Sequence, residues 1–352
     1  MSIFGLKAKD TDQDREVAAP PTDSISALAW SPAADFLAAS SWSSEVRIYQ
    51  VDDQGASKGV ALYAHDAPVL DVCWSKDGTK VVSGGTDNVV KLLDAGSGQS
   101  MQVGAHNAPV KCVRWISEGG GLVCTGSWDK TLRYWDLRQA NPVATVSLPE
   151  RCYAMDCSFP LLVAATAEQH VVVYNLNNPT VPFRTLKSPL RFQTRTISCY
   201  PDASCYALGS TEGRVSIQYV DEAKQGGNFS FKCHRKELQK SMSSLGNQWK
   251  TASQQVFAVN ELAFNSLGSF VTTGTDGTLC IWDHMSKTRL KTLEPDRGPI
   301  TAAKFNRSNQ YLAYALSYDW HAGYMGNTAS QQTKILLHRC EPDEVTPKQK
   351  KA

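Results

Sequence analysis

The chain has 352 residues, of which 42% are hydrophobic and 20% charged, enough apolar side chains to fill one large core. Its 36 Lys and Arg nearly cancel its 34 Asp and Glu. That balance excludes binding of nucleic acid or anionic membrane through overall charge and leaves only local patches for such roles. The ten cysteines include no Cys-x-x-Cys pair, and Cys73, Cys112, Cys124, Cys157 and Cys280 lie in apolar runs. They are expected as reduced, buried thiols of an intracellular protein. The opening Met-Ser-Ile-Phe-Gly-Leu-Lys lacks the apolar core of a signal peptide, and no stretch reaches transmembrane length, so a soluble protein without membrane insertion is expected.

In chain order, residues 1–13 are polar and expected to be flexible, and Arg15–Ala19 reads as a short strand before Pro20-Pro21. A three-run pattern then repeats. The first run ends in an aromatic or thiol residue, at Trp30, Trp74, Trp115, Cys157, Cys199, Phe264 and Phe305. The second ends in Ser/Thr-Gly-x before an acidic turn. The third ends at Tyr49, Leu93, Trp135, Tyr174, Tyr219, Trp282 and Leu337. The steps are about 41–44 residues, with one of about 65, which is the period of a WD-repeat propeller blade. Ser-Pro32, Lys-Asp-Gly78 and Asp-Gly277 supply turn-competent backbone between runs. The seventh unit has three runs, Ile300–Phe305, Tyr311–Leu316 and Lys334–Arg339, and no fourth. The amino-terminal strand is the candidate for its missing outer edge. The expected fold is all-β: a seven-bladed β-propeller of WD repeats over residues 14–341, closed by an N-terminal strand, with a flexible Lys-rich tail over 342–352.

The third unit carries His106, Thr125, Asp129 and Trp135, which resembles the hydrogen-bonded tetrad of WD repeats. The second keeps His65, Ser83 and Asp87 with Leu93 in place of Trp; the sixth keeps Thr273, Asp276 and Trp282 but shows no His. A constellation that recurs with the blade satisfies buried polar groups more readily than it performs chemistry. No phosphate-cradling, nucleophile-elbow or zinc-protease motif is present. Neither catalysis nor a cofactor or metal is expected.

Two departures from the period point to function, because extra residues in a repeat form loops on one face. The larger, 221–256, sets Lys224, Lys232, Arg235, Lys236, Lys240 and Lys250 against Asp221, Glu222 and Glu237, with Phe229, Phe231 and Trp249 interleaved. Such a mixture suits stacking on bases or gripping an acidic peptide. Equally, Phe229–His234 reads as the outer strand of the fifth blade, with Phe229 and Phe231 packing inward while Lys232 and His234 face away. His234 is read as a hydrogen-bonding strand residue without metal partners. The second departure, 317–330, brings Tyr318, Trp320 and Tyr324 onto a loop, as contact surface or with Trp320 folded back over the blade edge.

Three stretches, Thr211–Tyr219, Phe229–Arg235 and Val259–Phe264, resemble a related pair of propellers: the messenger-RNA export factor of the nuclear pore and the mitotic checkpoint propeller. Ala67–Ser75, Ala105–Lys111, Arg114-Trp-Ile116 and the string Ser317-Tyr-Asp-Trp320 are more similar to the export factor, as is Pro20–Ser26. The resemblance covers about residues 15 to 345. It implies a non-enzymatic adaptor that binds an acidic hairpin, the GLEBS motif, of a phenylalanine-glycine-repeat nucleoporin and supports mRNA export. It implies a nuclear, pore-associated protein that shuttles to the cytoplasm, a monomer within a heterocomplex, with weak contact to messenger ribonucleoprotein or single-stranded RNA. Arg214 becomes a partner for a GLEBS carboxylate, because a guanidinium suits bidentate pairing. Phe231, Lys232, Arg235, Trp282 and Lys287 become a rim that accepts the peptide or RNA, with Trp320 on the same binding surface. Trp282 is at once the Trp of the blade pattern, and His284-Met-Ser286 departs from the basic residue that the family carries after Trp-Asp. The alternative is a spindle-checkpoint scaffold for GLEBS-like motifs of checkpoint kinases.

Overall fold

Each first-run anchor lies on or just beyond the innermost strand of a four-stranded antiparallel sheet, and seven such sheets follow one another along the chain. The computed structural model describes residues 14–117, 121–237, 254–295, 298–328 and 331–348. The inner strands are Ile25–Trp30, Val69–Trp74, Val110–Ile116, Cys152–Ser158, Thr194–Cys199, Val259–Phe264 and Ile300–Phe305. Each touches the inner strands of both neighbouring blades, and the seventh touches the first, so the propeller is a closed ring. Second strands such as Leu161–Thr166, Cys205–Ser210 and Ser269–Gly274 are buried along their whole length. They therefore read as unbroken apolar or small runs rather than alternating ones.

One irregularity repeats in every blade. The register between inner and second strand shifts around the second residue of the inner strand: Ser26, Leu70, Lys111, Tyr153, Arg195, Asn260 and Thr301. A bulge re-aims the extra side chain, and all seven of these residues line one cavity of about 400 Å³ at the mouth of the central channel. Deeper in, charged groups tie adjacent inner strands together. Asp71 accepts from Val113 N at 2.9 Å and from Arg114 at 2.6 Å, Arg114 reaches Asp156 at 2.8 Å, and Asp156 accepts from Cys199 N at 2.8 Å.

Blade seven is completed from the other end of the chain. Arg15 and Glu16 pair with Leu337 and Leu336, and Val17 N donates to Ile335 O at 2.8 Å. The strand is shorter than Arg15–Ala19 because Ala19 turns to φ 47° ahead of the prolines. Val17 is fully buried between blades seven and one.

The structure departs from the sequence expectation at the carboxyl end. Pro342–Val345 forms a helical turn, with a capping box between Glu341 and Glu344, where a loose tail was expected. Val345 is buried against Leu316 and Leu293, and its carbonyl accepts from Asn265 and Ser269 at 3.1 and 2.6 Å. A lysine-rich composition concealed one apolar anchor. His338, on the strand that receives Arg15 and Glu16, bridges Asp14 at 2.7 Å and Glu344 at 3.1 Å, and Lys291 pairs with Glu344 at 3.0 Å. Burial opposes the charge on His338, but the two carboxylates outweigh it and lift its pKa to about 9. Glu344 is likewise disfavoured by burial, yet His338, the Glu341 backbone and Lys291 hold it down at about 2.

Candidate partner-binding face

In an antiparallel four-stranded blade, the turn between second and third strands and the link to the next blade emerge at the same end. The tetrads fix that end of the ring. In blade three, Trp135 Nε1 donates to Thr125 Oγ1 at 2.8 Å, Thr125 lies 2.7 Å from His106 Nε2, and His106 Nδ1 lies 2.9 Å from Asp129. Burial holds the His106 imidazole below its usual pKa despite Asp129. The neutral ring, protonated on Nδ1, then satisfies every partner in a single donor–acceptor chain. Blade two closes the same chain without a tryptophan. There the Tyr63 hydroxyl, from the outer strand Ser57–Ala64 of blade one, donates to Ser83 at 2.8 Å, and Ser83 meets His65 at 2.8 Å. A Cβ at Gly85 would lie 2.9 Å from His65 Nδ1, which explains the glycine there.

Blade six also has a complete tetrad, which corrects the reading of its sequence. Its histidine is His234, 2.9 Å from both Asp276 and Thr272, and Trp282 Nε1 donates to Thr272 at 3.0 Å. The hydroxyl is that of Thr272, not Thr273, and His234 turns inward rather than facing away with Lys232. The 221–256 segment interrupts the usual spacing between histidine and hydroxyl, so the repeat hid its own member. Of this segment, Glu222–Gly227 forms a short 3₁₀ helix, Phe229–Lys232 is the outer strand of blade five, and Arg235–Glu237 pairs with Gln254–Val256 as a separate ribbon. Lys240, Trp249 and Lys250 lie outside the described residues.

The residues singled out by sequence fall into three places. Arg214 opens the third strand of blade five directly opposite Lys232, at the tetrad end. Arg214 Nε and Arg235 Nη2 share the Glu212 carboxylate at 3.4 and 3.6 Å. Arg235 also donates to Glu212 O at 2.9 Å. The Arg214 side chain is 33% exposed against 15% for Arg235, so Arg214 is the more available of the two. Lys232 is exposed and has no ion-pair partner among the described residues. Phe231 and Trp282 form a second group on the flank between blades five and six, their rings 4.6 Å apart and half-buried. Lys287 sits at the opposite end of the ring, in the turn after Trp282, with its ammonium 4.5 Å from the Phe229 ring. The predicted rim is therefore not one continuous surface: Trp282 is committed to the tetrad, and Lys287 is separated from Arg214 by the height of the blade.

Trp320 forms the third place. It does not fold over the blade edge but stacks on Trp42 of blade one at 5.1 Å, beside Tyr318 at 5.6 Å, across the channel mouth. Asp319 beneath it accepts from Thr275 at 2.5 Å, Asn260 at 3.0 Å and His321 at 2.5 Å, and its carbonyl accepts from Arg195 at 3.2 Å. Burial would raise the Asp319 carboxyl, but those donors and Arg195 hold it below its usual range. Burial in turn draws the Arg195 guanidinium below its ordinary value, with Asp319 opposing. The sequence reading missed the bulge residues. Their only signal is position, one residue past the start of every inner run.

Residues 28–118 match the family model of the anaphase-promoting complex subunit 4 WD40 domain, and residues 249–283 that of the WD domain, G-beta repeat. Over its whole length the chain is 49% identical to the poly(A)+ RNA export protein of Schizosaccharomyces pombe, covering 99% of that protein. It is 46% identical to mRNA export factor GLE2 of Chaetomium thermophilum over 96% of this chain and 94% of the relative. It is 42% identical to Protein Rae1 of Drosophila melanogaster over 98% and 99%. With seven closed WD-repeat blades and end-to-end similarity of this degree, the chain belongs to the family of these mRNA export factors.

Proposed function

We propose that this protein is a nuclear mRNA export factor that works as an adaptor without catalysis, docking an acidic GLEBS hairpin of a phenylalanine-glycine-repeat nucleoporin on the tetrad end of the ring. The observation that carries this reading is full-length similarity, at 49% and 46% identity, to relatives named for RNA export. The relatives' names describe export factors, so the checkpoint-scaffold alternative is set aside. What supports the docking site is the basic cluster of Arg214, Lys232 and Arg235 beside the aromatic mouth of Trp42, Tyr318 and Trp320. Aromatic anchors bordered by cations suit a carboxylate-bearing peptide. Single-stranded RNA is assigned a weaker contact on the flank of Phe229, Phe231 and Lys287, where a cation overlies an aromatic ring.

The test is the affinity of a GLEBS hairpin peptide for the wild type and for Arg214→Glu combined with Lys232→Glu. Charge reversal at paired sites costs about 2–5 kcal/mol, so Kd is expected to rise roughly 30-fold or more. An unchanged Kd in a folded double variant refutes the assignment.

A further inference from the structure

None of the contacts assigned above uses the ring of bulge residues at the channel mouth, and its chemistry is one-sided. The ring contains Lys111 and Arg195 but no carboxylate. The carboxylates that line the same cavity are saturated. Asp71 is held by Val72 N, Val113 N and Arg114; Glu261 by Lys304, Leu262 N and Thr196; Asp319 by Thr275, Asn260 and His321.

The donors are not saturated. Lys111 has no partner among the described residues, and Arg195 makes one bond, to the Asp319 carbonyl at 3.2 Å. The indole Nε1 atoms of Trp128 and Trp320 line the cavity buried and unpartnered. One acceptor is also free. Asn260 is only 7% exposed, and its Nδ2 donates to Ile300 O and Asp319, both at 3.0 Å. Those two acceptors fix the amide's orientation and leave Oδ1 without a partner. Buried unpaired groups of this kind are costly unless something fills the site. The complement to several free donors and one free acceptor is an oxyanion with an N–H beside it, as a peptide presents at an acidic residue. The Trp42–Trp320 stack over the mouth excludes water and strengthens such a pairing.

We infer that the mouth of the central channel receives one carboxylate side chain of the acidic peptide, with Lys111 and Arg195 as counter-charges and Asn260 accepting a peptide N–H. This rests on the docking reading above and adds to it a second anchoring point, independent of Arg214.

A double-mutant cycle tests it. The GLEBS hairpin peptide, with each Asp or Glu changed in turn to Asn or Gln, is titrated against wild type, Lys111→Gln, Lys111→Arg and Arg195→Gln, reading Kd and tryptophan fluorescence. Lys111→Gln is expected to weaken the unmodified peptide about tenfold, while Lys111→Arg retains most of the affinity. One acidic position of the peptide should lose its effect in the Lys111→Gln background, and peptide binding should shift the tryptophan emission. The inference is overturned if Lys111→Gln and a folded Arg195→Gln bind as tightly as wild type while Arg214→Glu does not; docking then stands without it. Absence of peptide binding to the wild type defeats the docking reading and the inference together. Lys111 lies at the solvent-facing mouth, so its variants keep the test decisive should Arg195→Gln fail to fold.

Discussion

At the scale of single residues, the tetrads show how few positions decide a blade. His234 is 4% exposed and bonded to both Asp276 and Thr272. Its replacement by Ala leaves a buried carboxylate and hydroxyl without partners, and the expected loss is about 3 kcal/mol or more, measurable as a lowered denaturation midpoint. Tyr63→Phe removes a single neutral hydrogen bond to Ser83, so its expected cost is about 1 kcal/mol. If the two variants prove equally mild, blade six does not depend on its histidine. These residues also mark the limit of sequence reading. His65 and His106 precede their hydroxyl partners by 18 and 19 residues, and the pattern exposes them; His234 precedes Thr272 by 38. Tyr63 was equally hidden, because a tyrosine on one blade stands in for the missing tryptophan of the next.

At the scale of elements, the strands were legible because their runs are apolar and regularly spaced. The insertion and the carboxyl end were not, because charged composition masks a few structural anchors. The clasp of Asp14, His338 and Glu344 has a defined pH signature. His338 is raised from 6.5 to about 9, so its contribution is complete below pH 6.5 and is lost as pH climbs toward 9. The stabilisation at stake is about 3 kcal/mol. Glu344 is depressed from 4.5 to about 2, so its contribution is present above pH 4.5 and disappears as pH falls toward 2. Chemical denaturation of wild type and His338→Gln between pH 6 and 9.5 checks the upper limb. The wild type is expected to lose its advantage over the variant across that interval, and a constant difference contradicts the assignment. The basic cluster around Glu212 was legible as composition, but its division between two ends of the ring was not. Only strand direction separates Arg214 from Lys287.

At the scale of the whole molecule, stability depends on a ring without free edges. Arg15 and Glu16 cover the edge of Lys334–Arg339, and Val17 seals the junction between blades seven and one. Deleting residues 1–19 exposes that edge and removes a buried valine, so limited proteolysis is expected to attack blade seven first, with hydrogen exchange rising in blades seven and one before the others. Uniform protection in the truncated protein argues against the strand as the closing element.

The same closure fixes an order of events during synthesis. The first ordered segment to leave the ribosome has no hydrogen-bonding partner until the final blade has been translated. Six blades must therefore wait as an open crescent, and the nascent protein presents its unprotected sheet edge to the cytosol for nearly the full duration of its manufacture.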